Sequence, residues 1–403
     1  SELSRTVQEG GGLFGSARCD QLKGEEPHHA LAEAIGQVLR PSIRPELCQQ
    51  IRLASSPHLP LLVTLVPELS PLLETNSTLG SVGPQEARHR IQVAFASLIR
   101  GLASRGRPLV LFLDDLQWSD ETSLELLDFL AAEPDLEGLL LIQGSRENRG
   151  GLFLGPLELD AICRWTADSF RCQTEQALPL AKVLLQKTGG NPFFIRTLWF
   201  RLARERLIYR CEDGSPGWRW DQQAIHTIEI SSNLLDTMLQ QIQQLPSSTQ
   251  TCLIAAACCG RSFAASELSQ LLSLTVPDIL NDLSAAVDHL LISPLEGDCF
   301  QFAHDRVQEA AYAQLEPTQR SQYHRLLGRF KVAQLASHPS SPSLFEAIDH
   351  LRLSLAMMTD PKERQQFAEL CLSAIQRARS AGSFERAFSL AETALEALGP
   401  ARW

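Results

Sequence analysis

The chain has 403 residues, of which 44% are hydrophobic, and its formal net charge is −11 at pH 7. A chain of this length and composition is globular and holds about two to four domains. The acidic balance disfavours nucleic acid or an anionic membrane as the main partner, and no apolar run approaches the roughly 20 residues that span a bilayer. Ten cysteines without a CxxC pair predict buried thiols, a reducing compartment and a cytoplasmic location.

The first part of the chain alternates predicted helices and strands. Residues 1–10 have the amphipathic pattern of a helix, and a short strand follows around Leu13 and Phe14. Further helices are predicted over 27–39, 84–102 and 122–130, and further strands at 109–113, 138–144 and 151–157. This alternation predicts an α/β domain with a parallel sheet covered by helices.

The rest of the chain is predicted to be almost entirely helical. Helices are predicted over 174–187, 193–207, 234–245, 249–259, 265–272, 276–291 and 305–315, with a β-hairpin at 292–302. Three of these helices and the hairpin predict a winged-helix-like module. The final pair, 368–381 and 384–398, carries small residues where two helices must approach, as in a tetratricopeptide-like unit.

The chemistry centres on Pro108–Asp120, which reads PLVLFLDDLQWSD. A short apolar strand followed by Asp114 and Asp115 places two carboxylates at the sheet edge where open α/β sheets bind ligands. This is the arrangement of a Walker B strand, in which the first acid holds Mg²⁺ and the second orients the attacking water. The alternative is a core strand that ends in a solvated acidic turn.

A phosphate-binding loop is missing from the sequence. No GxxxxGK[ST] pattern occurs, and the dipeptide Gly-Lys is absent. Such a loop presents backbone N–H groups and a cation to the phosphates. Either the chain is not a nucleotide-binding fold, or it is a fragment whose loop lies upstream. The start at Ser1, within a predicted helix, favours the fragment.

Four motifs in order, DDLQWSD, LLLIQGSREN, QKTGGNPFF and FAHDRVQEAAY, resemble the STAND class of AAA-related ATPases. More narrowly, they resemble the ATPase module of large bacterial signalling proteins, which commonly join it to a Ser/Thr kinase, helical repeats, a GAF domain and a histidine kinase. Shorter matches lie at Asp20-Gln21, at 67–69 and at Glu86 with Arg90.

The resemblance implies an incomplete P-loop NTPase sheet followed by all-α regions. It implies a nucleotide-binding core without Walker A over 1–157, a helical lid over 158–230, a winged-helix-like domain over 231–330 and the start of a tetratricopeptide-like region over 331–403. In this fold the strand before the phosphate loop lies within the sheet. A gap between strands is therefore expected, and this chain alone is expected to bind ATP poorly.

The resemblance also implies ATP or ADP with Mg²⁺ as ligands. Asp114 is similar to the Mg²⁺-binding acid, Asp115 to its catalytic neighbour, and Arg146 to a sensor of the γ-phosphate. Pro192 is similar to the lid proline that packs on adenine, and His304 to the histidine that reaches the β-phosphate of ADP. The alternatives are purely structural: Arg146 is then a surface arginine, Pro192 a helix break, and His304 a neighbour of a helix cap.

The leading functional interpretation is an ATP/ADP switch with slow hydrolysis, coupled to kinase or sensor domains outside the chain and to a protein bound by the helical repeats. The first alternative is a nucleotide-free scaffold, which the missing loop favours. The second is part of a transcription regulator, which is disfavoured because no Lys or Arg lies between Ser262 and His304. A kinase active site is excluded, since the HRD and DFG motifs are absent.

Overall fold

The computed structural model describes residues 2–19, 27–40, 45–72, 83–210, 218–221, 224–225, 234–337 and 343–399, so the predicted Asp20-Gln21 motif lies outside it. The chain divides into two compact units. The first unit comprises residues 1–149, 258–260 and 316–403, and the second comprises 150–257 and 261–315. No helix within the described ranges is long and apolar enough to cross a membrane.

A parallel sheet of three strands forms the centre of the first unit. The strands are β1 (Leu13–Arg18), β2 (Leu109–Asp114) and β3 (Leu139–Gln143), in the order β1-β2-β3. Both neighbours pair with β2, and its residues Leu109, Leu111 and Leu113 are fully buried. An uninterrupted apolar run suits this position because such a strand is covered on both faces. The predicted α/β fold class, followed by a helical region, is confirmed.

Six helices accompany this sheet: α1 (Glu2–Glu9), α2 (His29–Leu39), α3 (Pro45–Ser55), α4 (Leu59–Leu65), α5 (Pro84–Leu102) and α6 (Glu121–Ala132). In α5, Pro84 stands in the first turn, where its missing N–H costs nothing, and Ile91, Phe95, Leu98 and Leu102 are buried at helical spacing. These side chains join the strands and α2 in one continuous core.

Two expectations about the sheet are wrong. No gap separates the three strands, because β1, β2 and β3 pair directly along their length. The predicted strand at 151–157 is also not formed. Its apolar residues Leu152, Phe153 and Leu154 are 83–88% exposed, and they lie between glycines in a segment that pairs with no described strand. Apolar composition alone does not make a strand when no partner supplies the hydrogen bonds.

The second unit contains helices and short strands. Its elements are α7 (Leu159–Phe170), α8 (Thr174–Thr188), α9 (Pro192–Arg204), β4 (Ile208–Arg210), β5 (Trp218–Trp220), α10 (Leu234–Gln243), α11 (Ser247–Cys259, whose last two residues belong to the first unit), β6 (Ser262–Ala264), α12 (Ala265–Leu272), α13 (Val276–Asp288), β7 (Ile292–Pro294), β8 (Cys299–Phe302) and α14 (Asp305–Tyr312). The antiparallel order β6-β8-β7 contains the predicted hairpin. The helices and the hairpin predicted in this region are formed, and their arrangement as a winged-helix-like module stays a prediction.

Four helices close the chain: α15 (Pro317–Ser337), α16 (Ser343–Leu353), α17 (Pro361–Ser380) and α18 (Phe384–Leu398). The predicted hairpin of α17 and α18 is formed, although α17 starts seven residues earlier than expected, with Asp360 as its N-cap. The turn between them packs on the first part of the chain: His28 Nε2 donates to the Ala381 carbonyl at 3.0 Å. A Cβ on Gly382 would lie 3.1 Å from Ile91 Cδ1.

Buried polar pairs hold these final helices together. Lys331 pairs with Glu346 at 2.8 Å, Arg386 pairs with Asp349 at 2.7 Å, and the Nδ1 atoms of His324 and His350 lie 2.9 Å apart. Burial lowers the pKa of His324 to about 4, and the cation Arg320 adds to that effect. The His324 imidazole is therefore neutral at pH 7.

Candidate functional site

The predicted acidic pair stands at the carboxyl end of the central strand. Asp114 is the last residue of β2, and its Oδ1 accepts the N–H of Asp115 at 3.0 Å. Asp115 has a φ of 56°, a left-handed conformation that Asp tolerates better than most residues. This turn reverses the chain at the end of the strand and leaves the two carboxylates side by side at the sheet edge.

A cation that the sequence analysis missed lies against both acids. Arg18 ends β1 and stands directly beside Asp114 in the parallel register. Its Nη1 lies 3.6 Å from Asp114 Oδ2, while its Nε and Nη2 both contact Asp115 Oδ2. The sequence offered only a general indication of this contact, namely that parallel strands end at the same edge of a sheet. The strand register is needed to place this arginine beside the two acids.

Gln117 connects the acidic pair to the third predicted residue of this group. Its Nε2 donates to Asp115 Oδ1 at 3.0 Å, and its Oε1 accepts the backbone N–H of Arg146 at 3.2 Å. The structure therefore brings Asp114, Asp115 and Arg146 to one edge of the sheet. The side chain of Arg146 is exposed, and the contact with Gln117 is made by its main chain.

Two further residues of this region have structural roles. Asp120 caps α6 by accepting the Ser123 N–H at 2.9 Å, so this acid is occupied in the helix N-terminus. Cys19 follows β1, and burial raises the pKa of its thiol to about 11, with the nearby carboxylates acting in the same direction. The Cys19 thiol is therefore protonated, which makes it a poor nucleophile or metal ligand.

Asp114 and Asp115 form what we call the acidic edge of the sheet. This edge fits a magnesium ion whose remaining ligands are waters and phosphates. Carboxylate oxygens are ligands that Mg²⁺ prefers, and it is commonly held by one or two carboxylates together with waters and phosphates. Gly144 leaves room beside Asp114, because a Cβ there would lie 2.4 Å from Asp114 Oδ1. Across the described ranges, no three His, Cys, Asp or Glu side chains form a group that could hold a metal on their own.

The other two predicted residues lie in the second unit, where the neighbour of Pro192 contacts His304. Pro192 opens α9 behind the N-cap Asn191, and the next residue, Phe193, packs its ring at a tilt against the ring of His304, with centroids 4.3 Å apart. The preceding Gly190 is required there, because it has a φ of 79° and a Cβ would lie 2.3 Å from the Leu157 carbonyl oxygen. Gly190 of the GGNPFF sequence thus has a steric reason.

His304 is the N-cap of α14. Its Nδ1 accepts the N–H of Arg306 at 3.1 Å and lies 2.5 Å from Asp305 Oδ1. Because Nδ1 is engaged at the helix N-terminus, a ligand contact by this ring would use Nε2. The alternative cap role is therefore observed.

A cavity of about 270 Å³ lies beside Phe193. Its wall includes three arginines of α9, Arg196, Arg201 and Arg204, together with Phe200. Arg204 contacts His289, whose pKa is lowered by burial and by that cation. The wall also includes the acid Asp288, and Arg201 is paired with Glu205 at 2.9 Å, so the cavity offers cationic, acidic and aromatic groups.

Comparison with known proteins adds an independent finding. Residues 1–142 match the family model of the AAA ATPase domain. The chain is 20% identical over 507 aligned residues to hybrid signal transduction histidine kinase G of Dictyostelium discoideum, covering 92% of this chain and 15% of that protein. The predicted resemblance to AAA-related ATPase modules of signalling proteins is thereby confirmed.

One solved structure is similar over most of the chain, with 12% identity and a TM-score of 0.45. It is the Signal Transduction ATPase with Numerous Domains (STAND) protein with a tetratricopeptide repeat sensor from Pyrococcus horikoshii, and the match covers 98% of this chain and 57% of that one. The chain thus spans less than two thirds of either relative.

Proposed function

We propose that this chain, a STAND-type module whose first 142 residues match the AAA ATPase domain, is the nucleotide-binding switch of a larger signalling protein. The observation that carries the proposal is the acidic edge, where Asp114, Asp115 and the Arg146 backbone are linked through Gln117. That edge combines the oxygen ligands of Mg²⁺ with the end of a central parallel strand, where such sheets bind ligands.

Each residue has a proposed role. Asp114 holds Mg²⁺, which supplies charge neutralisation for the phosphates when it is bound, and Asp115 orients the attacking water. Arg146, whose side chain is exposed, contacts the terminal phosphate. Pro192 packs on the base and His304 contacts the phosphate of ADP. The contact between the Phe193 and His304 rings and the cavity beside Phe193 support these last two roles.

The nucleotide acts in this proposal by differential binding. ADP stabilises one packing of the nucleotide domain, the lid and the winged-helix-like module, and exchange for ATP favours another. A signal at the helical end of the chain biases that exchange, and kinase or sensor domains elsewhere in the protein carry the output. Hydrolysis is slow and resets the switch.

A nucleotide-free scaffold is the competing function, and one observation favours it: the chain contains no Gly-Lys dipeptide and hence no phosphate loop. The two functions differ in a direct measurement. The full-length protein encoded by the gene is titrated with ATP and ADP in the presence of Mg²⁺ by calorimetry. The switch predicts micromolar binding, whereas the scaffold predicts none.

Variants then assign the residues. D114N is expected to abolish the Mg²⁺ dependence of ATP binding. H304A is expected to weaken the binding of ADP more than the binding of ATP. The matched control is D128N, because Asp128 is an exposed acid of α6 whose partner is the surface residue Arg149. Nucleotide binding that neither D114N nor H304A alters would contradict the assigned roles while leaving the switch itself standing.

A further inference from the structure

Arg18 contacts both of the carboxylates to which we assign the divalent cation. Its guanidinium contacts Asp115 Oδ2 through two nitrogens and lies 3.6 Å from Asp114 Oδ2. The Asp115 side chain is only 13% exposed, and the side chains of Arg18 and Asp114 are each 34% exposed. The Asp115 carboxylate is therefore more shielded than that of a surface pair such as Arg105 and Glu137, whose carboxylate is 55% exposed.

The contact has a clear electrostatic reason. Two carboxylates on consecutive residues repel each other, and a single guanidinium compensates part of that charge. A divalent cation would satisfy the same oxygens. The guanidinium and the metal cannot both occupy Asp115 Oδ2 and Asp114 Oδ2 at close range, since the two cations would then repel each other.

The backbone holds Arg18 in place for this role. β1 pairs with β2 in register from Leu13 to Arg18, and the N–H of the next residue, Cys19, donates to the Asp114 carbonyl at 3.0 Å. The Cα of Arg18 is thereby fixed beside Asp114. Only the side chain is able to leave when a metal arrives.

We propose that Arg18 is an internal counterion that competes with Mg²⁺ for Asp114 and Asp115. In the absence of metal it neutralises the acids, and metal binding displaces it. The affinity of the site for a divalent cation is then set by this competition as well as by the acids. The inference rests on the proposed function, because it assigns the regulation of the same metal site.

The test is a titration of the full chain with Mn²⁺ in the absence of nucleotide, with free Mn²⁺ measured by electron paramagnetic resonance. R18Q is expected to bind Mn²⁺ at least tenfold more tightly than the wild type, although it loses an ion pair. If Arg18 served only to hold the structure together, its removal would disorder the site and lower the affinity for Mn²⁺. The double variant R18Q/D114N should lose the gain.

The matched control is R105Q. Arg105 makes a two-pronged contact with Glu137 at 2.7 Å for both bonds, but this pair is on the surface. Its removal also leaves a carboxylate without its arginine, so an unchanged Mn²⁺ affinity in R105Q shows that the effect of R18Q belongs to the acidic edge and not to net charge.

A second measurement does not depend on the folding of a variant. In wild-type chain labelled with ¹⁵N-arginine, the Nε–H signal of Arg18 should shift and exchange faster with water as Mg²⁺ is added. An unmoved signal during metal binding, an R18Q affinity equal to or below that of wild type, or the absence of metal binding in both proteins would overturn the proposal. Failure of the switch appears separately, as lack of nucleotide binding in the full-length protein.

Discussion

Replacing His28 by alanine should destabilise the first unit through a contact between distant parts of the chain. His28 precedes α2, is 3% exposed and has a φ of 61°. Its N–H donates to Ser123 Oγ at 2.8 Å, and its Nε2 donates to the Ala381 carbonyl at 3.0 Å. The ring also lies 6.0 Å from that of Phe95. One side chain thus joins α2, α5 and the turn after α17.

The size of the effect follows from these contacts. H28A leaves the buried carbonyl of Ala381 without this donor, which costs about 1–3 kcal/mol. The lost ring adds a cavity term of about 1 kcal/mol or more, while the left-handed backbone remains as it was. We expect the free energy of unfolding to fall by about 2–4 kcal/mol at pH 7.5.

The pH dependence provides a second signature. Burial lowers the pKa of His28 below its ordinary value of 6.5. Unfolded chains therefore bind a proton below about pH 6.5 that the folded chain does not bind, and this contribution to stability is lost as the pH falls from there. H28A lacks this contribution, so its stability should fall less between pH 7.5 and 5.5 than that of wild type.

The assay is urea unfolding followed by circular dichroism at both pH values, with H89A as the control because His89 is exposed. H89A should change the free energy of unfolding by less than about 0.5 kcal/mol. If the two units unfold separately, only one transition should move. A loss below about 0.5 kcal/mol in H28A, or an unchanged pH dependence, would refute the reasoning.

Three further outcomes are expected. G144A should weaken Mn²⁺ binding at least tenfold, because its Cβ would displace the Asp114 carboxylate. The control G155A should not weaken Mn²⁺ binding, because its Cβ would meet nothing closer than 3.6 Å. Equal Mn²⁺ affinities in the two variants would count against the site. His324 has a pKa of about 4 in the folded chain, whereas an unfolded chain protonates its histidines near pH 6.5. The free energy of unfolding should therefore fall by about 3 kcal/mol as the pH falls from about 6.5 to 4, and H324N should reduce that loss in urea titrations. F153S should have a free energy of unfolding within about 0.5 kcal/mol of the wild type, because Phe153 is 88% exposed. It should also self-associate less than the wild type in light scattering. A large destabilisation would show that Phe153 is buried in solution.

Sequence patterns predicted elements wherever one apolar face dominates. The central strand and α5 follow this rule, since their buried residues repeat at the spacing of their secondary structure. The rule gave no bounds for α15 and α16, although 331–403 was predicted to be helical, because these helices bury His324, Lys331 and His350 in polar pairs that interrupt the apolar stripe. A polar residue at a core position reads as a surface residue until its partner is known.

The candidate site divides in the same way. Asp114, Asp115 and Arg146 are predictable from local sequence, because each lies at or just beyond the carboxyl end of a strand and such ends meet at one edge. Arg18 and Gln117 are not, since their contacts depend on strand register and on a turn with positive φ at Asp115. Only the fold shows that an arginine already compensates the acids.

The first unit also has a consequence for synthesis on the ribosome. Its residues 1–149 leave the ribosome long before their packing partners in 316–403, whereas the second unit lies almost entirely within one uninterrupted stretch, 150–315. At about 5–20 residues per second, residues 1–149 wait roughly 10–50 s for the rest of the chain. During that interval the Ile91 surface and the His28 ring lack the turn at Gly382 that later covers them, so the nascent chain offers chaperones a binding surface that the finished protein does not have.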